Sequence, residues 1–235
     1  MKKVEHIEKS FHNTHVTRSE WIPNRQFKPS QLYSAVVQDD KYETSEYSSD
    51  WSLVMCHLDN MPCPVCHGIN GHADCIVVAV DGASRGNGTD NAKGAIGVFF
   101  GPTSRYNVSL MLIKDTAPTN QKAELCAGIV ALRKCLKIQA IGVVTRYHTR
   151  PLKQVVVKSD SEYLVKGMTD LIFKWKRIDG MNHKGEPIKN YDLFRRLDYL
   201  VRQLNDKDVE VLFWLVKRER NKDADRLANH ALGMR

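Results

Sequence analysis

The sequence predicts an α/β domain built on a five-stranded mixed sheet with helices on both faces. Three observations predict it. Apolar runs at 75–81, 95–100 and 106–114 succeed one another across short turns, as the strands of an antiparallel meander do. Two further runs, at 155–159 and 209–216, each follow a segment with helical periodicity, and a strand reached through a crossover helix lies parallel to the strand it left. Carboxylates end two of the runs, Asp81 and Asp160, at the sheet positions where open α/β folds bind ligands.

Each element has its own justification. Ile76-Val77-Val78-Ala79-Val80 is unbroken and apolar, so the first strand is buried. Gly86-Asn87-Gly88 marks a turn into the second strand, Ala95 to Phe100, and Tyr106 to Lys114 alternates as the third. From Thr119 to Lys137 the small and apolar residues Ala123, Ala127, Val130 and Ala131 recur at helical spacing. Ala127 and Gly128 follow Glu124 by three and four positions, and small residues there would let the helix approach the sheet and bring Glu124 beside Asp81. Residues 140–153 read as a basic connection with Arg146, His148 and Arg150, leading to the fourth strand, Val155 to Ser159.

Ser161 to Lys176 is helical, with Leu164, Met168, Ile172 and Trp175 on one face. Gly180 to Pro187 is a basic loop, and Tyr191 to Leu204 is a helix with Leu193, Phe194, Leu197, Leu200, Val201 and Leu204 apolar. Val209 to Val216 is the fifth strand, and Ala224, Leu227, Ala228 and Ala231 mark the last helix. The α/β domain therefore occupies 76–235. Residues 61–75 form a Cys/His segment, and residues 1–60 an extension that is polar and largely irregular. Trp21 and Trp51 are its candidates for docking onto the domain.

Composition narrows the partners. The chain has 235 residues, enough for one well-buried domain plus an extension, and a formal net charge of +8, which favours polyanions through counterion release. No stretch approaches the length of a membrane-spanning helix, and Met1 to His6 lacks an apolar signal region, so a membrane is not an expected partner. The six cysteines are not spaced like a secreted disulfide framework, and Cys126 and Cys135 fall in a helix pattern. The expectation is an intracellular monomer in a reducing compartment, nucleus or cytoplasm.

Four acids on four predicted elements carry the chemistry: Asp81, Glu124, Asp160 and Asp225. Singly, each has an ordinary explanation. Asp160 suits a helix N-cap, and Glu124 and Asp225 suit first-turn charges favoured by the helix dipole. If they converge, they repel one another and need divalent cations between them. Hard oxygen ligands suit Mg²⁺, with Mn²⁺ as a substitute, and a pair of such ions can clamp an in-line phosphoryl displacement.

From Cys75 onward the chain resembles the type 1 ribonuclease H family. The resemblance rests on Val80-Asp81-Gly82, Thr119-Asn120-Gln121-Lys122-Ala123-Glu124, Ser159-Asp160-Ser161 with Tyr163, the stretch 180–190, and Asp223-Ala224-Asp225-Arg226-Leu227-Ala228, in that order. It implies a Mg²⁺-dependent endonuclease that cleaves the RNA strand of RNA–DNA hybrids. It implies Asp81 as the ligand shared by two ions, Glu124 and Asp160 on one, and Asp225 on the other. It also implies substrate contacts. Asn120 and Gln121 match a pair that reads 2′-hydroxyls, the groups that distinguish RNA from DNA. Thr119 and Asn190 match two groups of a DNA-phosphate pocket. Tyr163, beside Ser161, matches an aromatic of the DNA channel, and Trp175 with Lys176, Arg177, Lys184 and Lys189 matches a basic protrusion that grips the hybrid.

Departures from the family pattern lie at Ala117, where an Arg usually completes the phosphate pocket, and at Leu171, where a Trp usually stands. The larger departure is the loop before the last helix. Val216-Lys217-Arg218-Glu219-Arg220-Asn221 replaces a longer loop carrying a His assigned to proton transfer or product release. It resembles an Arg-Glu-x-Asn variant of fungal and plant ribonuclease H-like proteins. Glu219 or Arg218 is the candidate to replace the His. The alternative is slower turnover, or a nucleic-acid-binding domain that keeps the fold without useful catalysis. A 3′–5′ exonuclease of the same broad fold fits less well, because such enzymes usually carry Asp-x-Glu on the first strand where this chain has Asp81-Gly82-Ala83.

The segment before the domain spells Cys63-x₂-Cys66-x₅-His72-x₂-Cys75. Three thiolates and an imidazole are a suitable tetrahedral Zn²⁺ set, although this spacing is not a standard one. The competing reading is a group of ordinary thiols, with Cys75 buried at the start of the first strand.

Overall fold

The computed structural model describes residues 25–29, 42–44, 50–56, 61–64, 67–86, 92–112, 119–144 and 149–233. Its central strand is β3 (Gly71–Arg85), with β4 (Lys93–Phe99) antiparallel to its second half and β5 (Val108–Met111) antiparallel to β4. On the other side β8 (Gln154–Ser159) runs parallel to β3, and β9 (Glu210–Leu215) parallel to β8. These are the five strands expected, with the expected meander and crossovers. The first strand is longer than its apolar run. Its pairing with β4 carries on from Asp81↔Gly97 to Arg85↔Lys93, so Asp81 lies within the strand rather than at its end. The parallel partner stops sooner, at Ala79↔Lys158, and this opens the sheet beside Asp81.

Two short strands come from the segment read as an irregular extension. β1 (Glu43–Thr44) pairs with β2 (Ser52–Met55), and β2 pairs antiparallel with the first half of β3, giving seven strands in the sheet. Two and four residues are too short to show a period, which is why the sequence did not reveal them. Trp51 docks as its composition suggested. It stacks on Tyr106 at 5.4 Å, meets Phe100 edge-on, and donates from Nε1 to the carbonyl of Val144 at 2.6 Å. Trp21 lies outside the described residues. At the opposite edge, Gln26 bridges Phe213 of β9 in parallel, and Phe27 packs on Trp214 with ring centroids 5.3 Å apart.

The helices cover both faces, as expected. On one face lie α1 (Asn120–Ile141), α2 (Glu162–Lys166), which passes through a π turn (Gly167–Leu171) into α3 (Ile172–Arg177), and α4 (Tyr191–Asn205). Ile76, Val78 and Val80 of β3 face this layer and share a core with Leu125, Leu132, Leu164, Phe194 and Phe213. Fully burying a side chain such as Phe194 stabilises by roughly 1.5–3 kcal/mol. Gly167 admits that ring, since an added Cβ would lie 2.1 Å from Phe194 Cε1. On the other face α5 (Lys222–Ala231) packs Ala224 and Leu227 against Ala79 and Phe99. The connection at 140–153 forms a small hairpin, β6 (Val143–Val144) with β7 (Thr149–Arg150), while Arg146 and His148 lie outside the described residues.

Candidate active site

The four carboxylates occupy the end of the sheet where β3 and β8 part. Two glycines let the helices reach it. An added Cβ on Gly82 would lie 2.2 Å from the backbone nitrogen of Glu124, and one on Gly97 would lie 2.0 Å from the carbonyl oxygen of Ala224. Bare glycine backbone therefore lets α1 bring Glu124 to β3, and α5 bring Asp225 to β4. The sequence reading credited Ala127 and Gly128 with the first approach, and Ala127 does share the core with Ile76 and Val78. Gly128 instead faces Leu197 and Leu164, packing one helix against another.

Convergence shows in the electrostatics. Burial first, then the charges of Asp160, Asp225 and Glu124, push Asp81 from 3.8 up to about 7, against a hydrogen bond of 2.8 Å from the Gly82 N–H to its Oδ1 that favours the ionised form. Glu124 is likewise pushed up by burial and by Asp160, although it accepts hydrogen bonds from the Ser161 hydroxyl and from Asn120 Nδ2 at 3.1 Å. Four half-buried acids gathered at one sheet end, all offering hard carboxylate oxygens, match the donor chemistry that Mg²⁺-type ions require. Ser161 rather than Asp160 caps the following helix, while Asp225 does stand in the first turn of α5.

Neighbouring side chains aim the carboxylates. Asn221, 1% exposed, donates from Nδ2 to Asp160 Oδ1 at 2.7 Å and to the Val80 carbonyl at 3.0 Å, tying the loop before α5 to both strands. Asp225 accepts from Asn229 Nδ2 at 2.9 Å and from Arg218 Nη2 at 3.0 Å. Arg218 lies on a 3-10 turn, Arg218–Arg220, which is the short loop that departs from the family pattern. Glu219 on that turn is exposed and, among the described residues, has no hydrogen-bond or ion-pair partner; Arg218 is the loop residue that reaches a site carboxylate. Sequence reasoning missed the role of Asn221. This residue stands at the N-cap position of α5, yet its side chain makes no capping bond and reaches Val80 and Asp160 instead.

The substrate candidates surround this centre. Thr119 caps α1, accepting from the Lys122 N–H at 3.3 Å, and Asn120 and Gln121 follow on its first turn. Ser161 caps α2 by accepting from the Leu164 N–H at 3.2 Å while donating to Glu124. Asn190 adopts a left-handed conformation with φ 58° and donates to the Tyr163 hydroxyl at 3.2 Å, which in turn donates to the Lys189 carbonyl at 3.1 Å. Trp175 packs edge-on against Phe194 at 5.0 Å, at the margin of the core, and its carbonyl accepts from the Gly180 N–H at 2.9 Å. Ala117 lies outside the described residues.

The Cys/His segment differs from its sequence reading. The ligand atoms of Cys56, Cys63 and His72 lie within 4.8 Å of one another, and all three residues are buried. Cys75 is not in this group. It packs with Val77 and Trp214, and its Sγ donates to Asp74 Oδ1 at 3.3 Å. Both His72 and Cys75 are on β3, three positions apart, and an odd separation on a strand sends side chains to opposite faces. Cys66 lies outside the described residues.

A mixed sheet with helices on both faces and clustered carboxylates at its open end defines the class of this α/β domain. The sequence model of the RNase H family matches residues 73–232, and the chain belongs to that family. It is 31% identical over 157 residues to a ribonuclease H of Alcanivorax borkumensis, covering 67% of this chain and 91% of that protein. It is 35% identical over 129 residues to a ribonuclease H of Schizosaccharomyces pombe, covering 55% of this chain and 42% of that one, so it spans less than half of that relative's length. Among solved structures, the PFV RNase H domain matches with a TM-score of 0.48 and 21% identity over 66% of this chain and 92% of that one.

Proposed function

We propose that this chain is a divalent-metal-dependent endonuclease that cleaves the RNA strand of RNA–DNA hybrids, with Mg²⁺ as its ion. The observation that carries the reading is the gathering of Asp160, Asp225 and Glu124 around a partly buried Asp81, whose carboxyl is pushed to about 7 by burial first and by these charges second. In this reading Asp81 would be the ligand shared by two ions, Glu124 and Asp160 would hold one, and Asp225 the other. When bound, divalent ions supply charge stabilisation at the scissile phosphate and lower the pKa of a water nucleophile. The chain's own residues supply position. Asn221 and Ser161 hold Asp160 and Glu124, so the ligand oxygens are preorganised rather than recruited.

Recognition follows from the surrounding surface. Asn120 and Gln121 stand on the turn that carries Glu124, so the proposed readers of the 2′-hydroxyl sit one helical turn from the chemistry. Tyr163, Asn190 and Thr119 face the DNA strand in this reading. A cleft lined by Lys176, Arg195, Arg196 and Arg202 also holds Asp179, Asp192 and Asp198; Lys176 and Arg202 pair with Asp198, which leaves Arg195 and Arg196 as its cations for phosphates farther along the duplex. A membrane has no part in the reading: no helix among the described residues is long and apolar enough to cross one.

A second reading, a domain that binds hybrid but turns it over weakly, is favoured by one observation. Arg218 already engages Asp225 Oδ1, and no His occupies the loop. A hybrid labelled internally and at either end of its RNA strand separates the readings. Internal cuts with Mg²⁺, abolished by EDTA, are expected. Binding without cutting supports the second reading, and release of single nucleotides from an end would overturn endonucleolytic action.

A further inference from the structure

We infer that Cys56, Cys63 and His72 form a structural Zn²⁺ site that locks the N-terminal strands onto the central strand. This site is separate from the carboxylate centre and does not depend on the reading of that centre. Three strong ligands come from three pieces of chain. Cys56 follows β2, Cys63 lies on the 61–69 turn, and His72 opens β3. Cys63 Sγ and His72 Nδ1 are 3.8 Å apart. Zn–S and Zn–N bonds of about 2.3 and 2.0–2.1 Å at tetrahedral angles would place such atoms about 3.6 Å apart. The trio is thus already spaced for one ion.

The rest of the lobe calls for such a centre. Among the described residues its hydrophobic cluster consists of Cys56 and Cys63, 1% and 2% exposed. A segment without an apolar core of its own is stabilised by ligation instead. The backbone is also tightly wound. Cys63 N donates to the Gly68 carbonyl at 2.9 Å, His67 N to the Cys63 carbonyl at 2.8 Å, and Pro62 bridges Ile69. His67 and Asn70 hold φ of 56° and 59°, a left-handed conformation that costs non-glycine residues of order 1–3 kcal/mol each and persists where the surroundings over-determine it. An added Cβ on Gly68 would lie 2.0 Å from the Gly71 carbonyl oxygen. Thiolate and imidazole ligands of this kind select zinc over the hard ions suited to the carboxylates. The Cys63-x₂-Cys66 spacing offers a fourth thiolate by sequence alone, and the assignment rests on the three ligands named.

The test uses the full chain purified without chelator from zinc-supplemented medium. Metal analysis should find one zinc per chain. Replacement by Co²⁺ should give thiolate-to-metal charge transfer and the intense visible bands of a tetrahedral site. Cys56→Ser should lose the metal, whereas Cys75→Ser and Cys135→Ser should keep it. If loss of a ligand unfolds the chain, His72→Cys keeps the question open to measurement, since it should retain Co²⁺ with altered charge-transfer absorption. Zinc far below one per chain, full zinc in Cys56→Ser, or a Cys56–Cys63 disulfide in place of metal would each overturn the site.

Discussion

Gly82 and Glu124 meet backbone to backbone: an added Cβ on Gly82 would lie 2.2 Å from the Glu124 nitrogen and 2.3 Å from the Ala123 carbonyl carbon. Neither atom is the end of a flexible side chain, so nothing local can give way. The contact fixes how far α1 stands from β3, and with it the distance from Glu124 to Asp81. Gly82→Ala should therefore shift α1 outward. We expect hybrid cleavage to fall on the order of 100-fold, because a displacement of about 1 Å at a reacting centre has that cost. A stability loss of about 1–3 kcal/mol from overpacking should accompany it. Turnover and thermal unfolding of the variant check both; unchanged turnover would show that α1 is not positioned by this contact.

The raised Asp81 carboxyl gives a stability signature with a defined sign. Its folded value is about 7 and its ordinary value 3.8, so ionising it costs more in the folded chain than in the unfolded one. The penalty is absent below 3.8, grows as pH rises, and is complete above about 7. In EDTA, Asp81→Asn should be more stable than wild type at pH 8, by roughly 1–3 kcal/mol, and the gap should shrink towards pH 5. Denaturant unfolding at the two pH values measures it, and a variant less stable than wild type at pH 8 would contradict the crowding.

Cation binding should track the same titration. Ions that need the ionised carboxylate compete with its proton, so Mg²⁺ affinity should rise between pH 6 and pH 8 and binding should release protons. Calorimetry in buffers of different ionisation enthalpy reads the protons directly. Affinity flat across that interval would mean that Asp81 is not a ligand.

Arg218 and Glu219 make opposite forecasts from neighbouring positions. Arg218 is mostly exposed, so its pair with Asp225 contributes only about 0–1 kcal/mol. Arg218→Ala should lower the Mg²⁺ concentration for half-maximal cleavage by up to about fivefold, since a competing cation leaves Asp225. Glu219 has no partner among the described residues, and Glu219→Gln should leave turnover within about twofold of wild type. A large loss confined to turnover in Glu219→Gln would instead assign it the missing loop group's work in proton transfer.

The central strands and the four expected helices were legible because their residues repeat over enough length, though the π turn that divides α2 from α3 was not. Val155-Val156-Val157 can only be buried, and the α4 face from Phe194 to Leu204 keeps helical spacing throughout. The four acids were legible because each abuts such an element. The missing parts are tertiary. Ser52 to Met55 pairs with β3 although four residues cannot show a period. Asn221 reaches Val80, and Arg25 reaches Asp198 at 2.7 Å, across separations of 141 and 173 residues that no local pattern encodes. Of the expected Cys/His set, Cys63 and His72 come together and Cys75 packs elsewhere. Counting spacings grouped His72 with Cys75, whereas strand alternation parts them and brings in Cys56, which lies outside the counted motif.

The claim at the centre of this account is that the four carboxylates act as one ion-dependent cutting site. Single-turnover cleavage of an RNA–DNA hybrid by wild type and by Asp81→Asn, each in Mg²⁺, tests it most directly. The account expects wild type to cut the RNA strand internally and Asp81→Asn to bind the hybrid while cutting it at a rate indistinguishable from that in EDTA. Undiminished cleavage by Asp81→Asn, or equal cleavage of hybrid and duplex DNA by wild type, would contradict it.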